Sequence, residues 1–386
     1  MRIALFSETY LPSINGVVTH VKTLKEGLEA MGHQVLVVTA DCKVRRHHVS
    51  DDGVLHCPAF KSTRFYGYSI AKPVSRTRYK LVKEFNPDII HIHDEYGISL
   101  SGITIAKLLK KPLVYTLHTM YDQYLYYISP KLLMPFTQKL VHTYNKFIAD
   151  KASAITGPSA KCGAYLSEIG IKSPVTVIPN AVELDMFEKT NANPDIVSQI
   201  KEQFNIGDKT VFCFVGRLGK EKSVDVLFNY LAEEITIKDN IIMMIVGDGP
   251  VADDLKKQAD KLGISEFVRF TGSIPHDKLN TYYYCCKCYI TASISDTNSI
   301  SMKEAMASGL PVLHICDPLN AGQIVDEVNG YVYHDAKELA ANIRKVRDMT
   351  DEEYVALQQS TLNSVEEFSQ KALAQRLLAV YNSVIK

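Results

Sequence analysis

The sequence predicts an α/β protein made of two doubly wound, Rossmann-like domains. At 386 residues, the chain is long enough for two domains of ordinary size. Apolar runs of strand length alternate with helix-like segments in both halves, which is typical of parallel sheets covered by helices. A polar segment at 183–205 separates the halves and is predicted to be a linker with a short helix.

The first half is predicted to begin with a strand, a helix and a second strand. Its expected elements are strands at 2–6, 34–39, 88–93 and 112–116, and helices at 17–31, 75–85 and 97–109. Gly16 lies at the first strand-to-helix turn, where α/β sheets bind phosphates, although it could equally be a plain turn glycine. Residues 40–75 carry many basic side chains and are predicted to be rich in loops.

The second half repeats the alternation of strands and helices. Its expected strands lie at 210–215, 241–246, 268–271, 288–292 and 311–315, and its last helices at 336–349, 351–367 and 370–385. The repeat of one pattern in both halves supports two domains of the same architecture.

Composition limits the classes of function. With 46% hydrophobic and 22% charged residues the chain is globular, and its net charge of zero gives no support to nucleic-acid binding. The eight cysteines lack the paired spacing of metal sites, so reduced thiols in a cytoplasmic protein are expected. The sequence contains neither a signal peptide nor an apolar run of 18 residues, so any membrane contact is expected to be peripheral.

The stretch 293–311 carries the strongest local signal. It follows an apolar strand, turns through small polar residues and enters a helix near Ser299, whose N–H groups and dipole favour an anion. Asp296 lies in the turn and Glu304 lies in the helix, so each acid is placed to bind hydroxyl groups. The alternative is that Asp296 caps the helix and Glu304 is a solvated surface acid.

Two cations follow the first strand of the second half. Arg217 and Lys222 flank a turn at the carboxyl end of that strand. Two positive charges there can neutralise a diphosphate leaving group. A solvated basic loop is the alternative.

Three histidines lie at or near the carboxyl ends of strands in the first half. His91 and His93 have the alternate spacing of a zinc-binding strand, and His118 follows the next strand. No third ligand for a metal is evident beside His91 and His93. We therefore predict hydrogen-bonded structural histidines and no metal site.

Residues 119–147 are rich in tyrosine, methionine and leucine, with interspersed cations. Amphipathic aromatic side chains with lysines suit a membrane interface, and Tyr121, Tyr124, Tyr127 and Lys131 are the candidates for contact with a lipid acceptor. A helix pair packed in the core is the alternative.

Taken together, the motifs resemble the retaining GT-B glycosyltransferases related to sucrose synthase, and most resemble the bacterial diacylglycerol glucosyltransferases. The matching positions are Gly16, His118 in Leu-His-Thr, Gly216 with Arg217, Lys222, the Gly-Asp-Gly turn at Gly247, and the acids Asp296 and Glu304. The resemblance covers nearly the whole chain. One segment, 117–128, carries the likeness to the lipid glucosyltransferases.

The resemblance implies a GT-B fold with a cleft between its domains. The acceptor-binding domain would be 1–182, joined by a returning C-terminal helix at 370–386, and the nucleotide-sugar domain would be 183–369. His118, Asp296, Arg217 and Lys222 are the implied catalytic residues. The implied donor site comprises Gly16, Arg217, Lys222, Gly272, Ser273, Asp296, Asn298, Ser299, Ile300 and Glu304.

The implied activity is transfer of a hexose, with glucose expected, from a UDP-sugar to a membrane lipid such as diacylglycerol. Retention of configuration, no metal, no cofactor beyond the donor substrate, and a cytoplasmic protein on the inner face of the cell membrane are expected. Asp296 and Ser299 stand where the family usually has Glu and Gly, which leaves the donor sugar open.

Two other activities remain as alternatives. One is transfer to a soluble or lipid-linked glycan, and the other is a non-catalytic sensor of sugar nucleotides. A dehydrogenase is disfavoured because the Gly-x-Gly-x-x-Gly fingerprint is missing. The oligomeric state is left open.

Overall fold

The computed structural model describes residues 1–13, 15–61, 69–120, 122, 133–188 and 193–385. The chain divides into two compact units. One unit comprises Met1–Ala181 together with Gln370–Lys386, and the other comprises Val182–Ser369. Each unit is an α/β domain built around a largely parallel sheet, as the alternation of strands and helices predicted.

The first unit contains nine described strands. They are β1 (Arg2–Ser7), β2 (Gln34–Asp41), β3 (His48–Val49), β4 (Val54–Lys61), β5 (Ser69–Ala71), β6 (Ile89–Ile92), β7 (Leu113–Thr116), β8 (Ala154–Gly157) and β9 (Val175–Val177). Its helices before the unit boundary are α1 (Gly16–Ala30), α2 (Arg76–Phe85), α3 (Gly97–Leu109), α4 (Met134–Ala149) and α5 (Ala160–Glu168).

Strand β1 lies in the middle of the first sheet. The strand order is β3-β4-β2-β1-β6-β7-β8-β9, so the chain winds one way from β1 through β2 and the other way from β6. Alternate side chains of β1 enter different cores: Leu5 packs with one hydrophobic cluster and Phe6 with the other. A sheet buried on both faces explains why its strands are almost continuously apolar. The order reverses between β1 and β6, and α/β sheets bind ligands at such a point.

The loop-rich stretch 40–75 also contains strand β4, which the sequence did not predict. Strand β4 pairs in parallel with β2 and antiparallel with β3 and with β5. Pro58 is the reason that the sequence did not predict this strand, because proline cannot donate a backbone hydrogen bond to a neighbouring strand. It is tolerated because β3 pairs only as far as His56 and β5 pairs only from Ala59.

The last helix, α13 (Gln370–Val384), packs on α1 in the first unit. Leu373, Leu377 and Tyr381 are at most 1% exposed and belong to the core on that face of the sheet. The helices approach so closely at Gly27 that an added Cβ would lie 2.6 Å from the backbone oxygen of Gln370. The helix is thus an integral part of the first core.

The second unit contains six strands among its described residues. They are β10 (Thr210–Val215), β11 (Ile241–Val246), β12 (Val268–Gly272), β13 (Cys288–Thr291), β14 (Val312–Ile315) and β15 (Gly330–Tyr333). Its α-helices are α6 (Pro194–Gln203), α7 (Val224–Glu234), α8 (Ala252–Leu262), α9 (Leu279–Tyr284), α10 (Ile300–Ala307), α11 (Ala336–Asp348) and α12 (Asp351–Val365).

All six strands of the second sheet are parallel. Their order is β12-β11-β10-β13-β14-β15, so the direction of winding reverses between β10 and β13. The carboxyl ends of these two strands are therefore neighbours at the switch point, where open α/β sheets bind ligands.

The short helix predicted within 183–205 is confirmed as α6, but the described residues of this segment belong to the second unit and are not a linker. Phe187 is fully buried in the core of the second unit, and Ile200 on α6 is 4% exposed in the same core. The Phe187 ring packs edge-on against the rings of Tyr283 and His276, at centroid distances of 5.8 and 5.9 Å. The polar residues that suggested a linker include Asn193, whose side chain caps the first turn of α6.

An ion pair ties α11 to the loop before β11. The Arg344 guanidinium donates to Asp239 across 2.7 Å, and this hydrogen bond is the main reason that the pKa of Asp239 falls to about 2, although burial opposes it. A lowered carboxyl pKa stabilises the fold above the unfolded pKa near 3.8, and that contribution is lost as the pH falls towards 2.

We expect Asp239→Asn to lower the free energy of unfolding by about 1 kcal/mol at pH 7, because the Arg344 side chain is partly solvated. The difference from wild type should shrink below about pH 4, and urea unfolding at several pH values would measure it. Asp253→Asn, at an exposed ion pair with Lys256, is the matched control and should change stability by less than about 0.5 kcal/mol. A constant difference down to pH 2 would contradict the assignment.

Candidate functional site

Three neighbouring strands of the second sheet end in glycine turns. Gly216 follows β10 and Gly247 follows β11, while Gly272 ends β12. Their backbones touch: the Gly247 N–H donates to Gly272 O across 2.9 Å, and a Cβ on Gly247 would lie 2.0 Å from Gly216 O. Gly247 and Gly272 also have φ values of +134° and +74°, which favour glycine. Side chains are thus excluded where the backbones of these three turns meet.

Arg217 is held by a carboxylate that the sequence did not single out. Its Nη2 donates to Glu221 Oε1, and the Glu221 side chain is only 2% exposed. The backbone oxygen of Glu221 in turn accepts hydrogen bonds from Ser293 and Ser295, which follow β13. The alternative of a solvated basic loop is therefore wrong for this turn.

Lys222 joins the two strands at the switch point. Its ammonium donates to Asp296 Oδ1 across 2.5 Å, and the two side chains are 19% and 23% exposed. Burial acts to raise the pKa of Asp296, but the charge and hydrogen bond of Lys222 outweigh it and hold that pKa below its ordinary value. Asp296 is consequently an ionised carboxylate at neutral pH, fixed beside a cation.

Helix α10 begins beside this pair. Ser299 is its N-cap, because the Ser299 Oγ accepts from the Met302 N–H at 3.3 Å. The alternative that Asp296 caps this helix is therefore wrong. Asn298 precedes the cap and accepts a hydrogen bond from the buried Lys303, while Ile300 is half-buried in the first turn.

Glu304 is buried rather than solvated, with a side chain that is 5% exposed. His276 Nε2 lies 2.7 Å from one of its carboxylate oxygens, and the Tyr283 hydroxyl donates to the other across 3.3 Å. The alternative of a surface acid is wrong. Sequence reasoning missed His276 and Tyr283. His276 could have been found from its position, just after the turn at Gly272 and the exposed Ser273.

The first unit brings together a different histidine set from the one the sequence suggested. His91 is not available as a metal ligand, because its two ring nitrogens contact the Tyr381 hydroxyl at 2.7 Å and the Thr116 hydroxyl at 2.6 Å. His93 instead meets His118 and His20, and one ring nitrogen from each of the three lies within 4.8 Å of the others. His20, which the sequence did not single out, takes the place of His91 in this set.

Burial favours the neutral form of His93 and of His118. It lowers the pKa of His93 and of His118 well below the ordinary value, and the neighbouring histidines lower both further. His20 enters from α1 and contacts Asn180 through its Nδ1 at 2.9 Å. Gly16 lies one turn before His20 at the start of the same helix, whose cap is the Asn15 side chain.

Two acids are buried at the switch point of the first sheet. Glu8 follows β1 and accepts from the backbone N–H groups of Ala71 and Ile98, at 2.5 and 2.6 Å. Asp94 follows β6 and accepts from the Ser99 hydroxyl. Burial, with the charge of Asp94, raises the pKa of Glu8 to about 8. Sequence reasoning passed over both acids because each lies in a short loop without a recognisable motif.

Helix α4 exposes an unusual amount of apolar surface. Leu133 at its N-cap and Phe136, Leu140 and Phe147 along it are 45–71% exposed. Its buried residues are confined to the C-terminal half, so a core-packed helix pair is not what this helix forms. Among the described helices, none has the length and apolar character needed to span a membrane. The predicted acceptor residues Tyr121, Tyr124, Tyr127 and Lys131 lie outside the described residues.

Both halves of the sequence match models of glycosyltransferase families. The model described as Glycosyltransferase Family 4 matches residues 14–186, and the model described as Glycosyl transferases group 1 matches residues 197–361. The two matches fall on the two halves predicted from the sequence.

Curated relatives support the same class. An alpha-monoglucosyldiacylglycerol synthase of Streptococcus pneumoniae is 32% identical over 351 residues, which cover 89% of this chain and 77% of that protein. The protein of the same name from Acholeplasma laidlawii is 31% identical over 354 residues, covering 90% of this chain and 88% of its own. The predicted resemblance to glycosyltransferases, and to those acting on lipids, is confirmed.

Solved structures share the fold. Anabaena HepE in complex with UDP and glucose matches with a TM-score of 0.75 at 16% identity, over 99% of this chain and all of the other. Sucrose-phosphate synthase from Thermosynechococcus elongatus matches with a TM-score of 0.74 at 18% identity, over 99% of this chain and 98% of the other. The predicted fold class, GT-B with two Rossmann-like domains, is confirmed.

Proposed function

Because the chain belongs to the glycosyltransferase family whose two models match it, we propose that it transfers glucose from UDP-glucose to diacylglycerol with retention of configuration. The product would be an α-linked glycolipid. The observation that carries the proposal is the Lys222–Asp296 pair beside the start of α10, at the switch point of the second sheet. The two curated relatives are alpha-monoglucosyldiacylglycerol synthases, which supports both the sugar and the lipid.

The second unit would bind the donor. Lys222, Arg217 and the N–H groups at the start of α10 would hold the diphosphate, since cations and a helix N-terminus both favour an anion. Both cations already contact carboxylates. An ammonium has three donors and a guanidinium five, so each has the capacity to share its hydrogen bonds with phosphate.

The remaining residues would hold the rest of the nucleotide sugar. Glu304, fixed by His276 and Tyr283, would accept hydrogen bonds from the ribose hydroxyls. Asp296 would accept from a sugar hydroxyl, and the backbone at Gly272 and Ser273 would contact the base. The contact of His118 with the transferred sugar stays a prediction.

The proposed chemistry is a displacement on one face of the sugar. The bond from the anomeric carbon to the phosphate oxygen breaks, and the acceptor hydroxyl forms the new bond from the same side. The hydroxyl proton passes to the departing phosphate oxygen, so UDP leaves and no proton is left over. Charge builds on the diphosphate, and preorganised cations lower the barrier most where charge develops. Two side-chain cations would supply what a metal ion otherwise provides.

The first unit would meet the lipid surface through α4. Its exposed leucines and phenylalanines alternate with the exposed Lys139 and Lys146. Such a face favours the boundary between acyl chains and anionic headgroups. An acceptor that never leaves the bilayer requires the enzyme to bind there.

The test is a transfer assay with purified protein, UDP-glucose and diacylglycerol in mixed micelles. We expect equal amounts of UDP and of an extractable glucolipid, activity in the presence of EDTA, and an α-anomeric proton coupling in the product. Transfer only to soluble or lipid-linked glycans would favour the other acceptor class. Binding of UDP-sugars without any transfer or UDP release, across a panel of donors and acceptors, would favour a sensor and overturn the proposal.

Acidic substitutions on the exposed face of α4 should weaken membrane association. We expect Phe136→Glu with Leu140→Glu to reduce co-sedimentation with vesicles containing phosphatidylglycerol at least about tenfold, because two apolar contacts are lost and repulsion is added. UDP binding, which the second unit would provide, should not change.

Val355→Glu is the control, since Val355 is 58% exposed on α12 of the second unit. This variant should sediment with vesicles as the wild type does. Equal sedimentation of the α4 variant and wild type would exclude α4 as the membrane contact.

A further inference from the structure

We propose that His20, His93 and His118 form a binding site for one divalent transition-metal ion that prefers imidazole ligands, with Zn²⁺ as the reference ion. The site lies wholly within the first unit. Metal binding there does not depend on the proposed function; only its expected effect on glucose transfer does.

The spacing of the three rings suits a single ion. The ring centroids of His20 and His118 are 4.6 Å apart, and His93 lies 5.5 Å from each. Three imidazoles on one tetrahedral ion need centroid separations of roughly 5 Å, given a metal–nitrogen distance of about 2.0–2.1 Å. Only small side-chain shifts would bring the three nitrogens onto a common centre.

One nitrogen pair already has the separation expected of two metal ligands. His93 Nδ1 lies 3.3 Å from His118 Nε2. Two nitrogens on a tetrahedral zinc ion are about 3.3 Å apart. Without metal, the same distance allows one ring to donate a weak hydrogen bond to the other, so the apo protein tolerates the arrangement.

The cluster also presents ligands in the required chemical form. Metal ions bind imidazole nitrogens, and each of the three rings contributes one such nitrogen to the cluster. His20 has an outer partner, the Asn180 side-chain oxygen, at 2.9 Å from Nδ1. Such a contact fixes the tautomer with its proton on Nδ1 and leaves Nε2 as the ligand atom, as outer partners do in known metal sites.

The arrangement is typical of an open metal site rather than a closed structural one. Three histidine ligands leave a fourth position for water or another ligand. His118 is the partly exposed member of the set, whereas His20 and His93 are buried. The ion would therefore enter from the side of His118 and keep its open position towards solvent.

A metal at this site would change the behaviour of His118. A ring nitrogen that binds a metal ion cannot at the same time hydrogen-bond to a sugar hydroxyl. If His118 contacts the transferred sugar through the same nitrogen that would bind the ion, then occupation by Zn²⁺ should inhibit transfer. The cluster would act as an inhibitory site for free transition-metal ions.

The direct test is metal binding by the full chain with any histidine tag removed. We expect titration with Co²⁺ to give visible absorption of a tetrahedral nitrogen-ligated ion with one site per chain, and Zn²⁺ to displace it. His118→Ala and His93→Gln should each weaken Zn²⁺ binding at least about tenfold, the scale seen even for loss of outer partners. Calorimetry with ZnCl₂ would measure this.

Two controls separate loss of the site from loss of the fold. His334→Gln alters an exposed histidine on the second unit that pairs with Glu338, and it should leave Zn²⁺ binding unchanged. Each variant is also checked by circular dichroism and by its thermal shift with UDP. His118→Ala removes the most exposed of the three rings, so it is the variant best suited to keep the first unit folded.

The outcomes are distinguishable from those of the transfer assay. One-site binding that is lost in folded His118→Ala supports the metal site even if the protein transfers no glucose. Zn²⁺ binding that is the same in wild type, His93→Gln and His118→Ala would overturn it, as would the absence of binding by wild type. Inhibition of transfer by Zn²⁺, reversed by EDTA, would then support the inhibitory role, and undiminished transfer with the site occupied would exclude it.

Discussion

Replacing Lys222 by alanine is expected to reduce glucose transfer at least about a hundredfold, which corresponds to about 2.7 kcal/mol of transition-state stabilisation. The ammonium lies 2.5 Å from Asp296 at the switch point of the second sheet. Its removal takes a fixed positive charge from the proposed diphosphate site and leaves Asp296 without its cation. Steady-state kinetics with UDP-glucose would measure the loss.

The same variant should change the pH dependence of the reaction. Lys222 opposes the effect of burial and holds the pKa of Asp296 below its ordinary value. Without Lys222 that pKa should rise, so the acid side of the profile of kcat/KM should move to higher pH. A simple loss of folded protein would lower the whole curve without moving it.

Lys220→Ala provides the matched control for Lys222. Lys220 lies in the same turn, and its side chain is exposed. This variant should keep most of the activity, whereas Lys222→Arg should recover part of it because the charge is retained. Near wild-type turnover in Lys222→Ala would remove the proposed role of the Lys222–Asp296 pair.

Replacing Phe187 by alanine is expected to lower the free energy of unfolding by about 3–5 kcal/mol, the usual cost of emptying a buried phenylalanine site. Phe187 is fully buried although it lies in a segment that reads as polar. Urea unfolding would measure the change.

A second effect of Phe187→Ala should appear in donor binding. The Phe187 ring supports His276 and Tyr283, and these two residues hold the Glu304 carboxylate. Loss of that support should raise the KM for UDP-glucose more than it lowers kcat, since Glu304 would bind a part of the donor remote from the reacting bond.

Ile196→Ala is the control from the same segment. Ile196 lies on α6 and is 43% exposed, so the change should cost less than about 0.5 kcal/mol and leave KM unaltered. Equal stability of Phe187→Ala and wild type would show that this segment is only a connection, as the sequence first suggested.

Periodicity predicted most of the regular elements. The strand expected at 210–215 and the helix expected at 97–109 have the bounds found for β10 and α3. These elements are predictable because a fully buried strand gives a continuous apolar run in the sequence, and a helix buried on one face gives a periodic apolar pattern. Strand β4 was missed because its proline and its polar residues mimic a loop, and only pairing with β2, β3 and β5 makes it a strand.

The site was predicted as a set of residues but not as a set of contacts. Lys222 and Asp296 are 74 positions apart, and no local pattern says that their charges meet. Their contact follows from strand order, which places β10 beside β13. Glu221 was missed for a related reason, since its burial depends on the packing of this turn and not on its neighbours in sequence.

The histidine cluster shows the same limit. His91 and His93 are adjacent in the pattern of one strand, yet the Tyr381 hydroxyl, from the other end of the chain, contacts His91. His93 is left to meet His20 from α1 and His118 from beyond β7. A sequence pattern within one strand could not predict a cluster assembled from three separate segments.

The return of α13 to the first unit has a consequence for synthesis. Proteins are synthesised from the N-terminus towards the C-terminus, so the residues that fill the core beside Gly27 emerge only after all of the second unit has been translated. During that interval, the surface that Leu373, Leu377 and Tyr381 will cover stays open to water. The second unit is continuous in sequence, so it can complete its core before the last helix of the first unit has been synthesised.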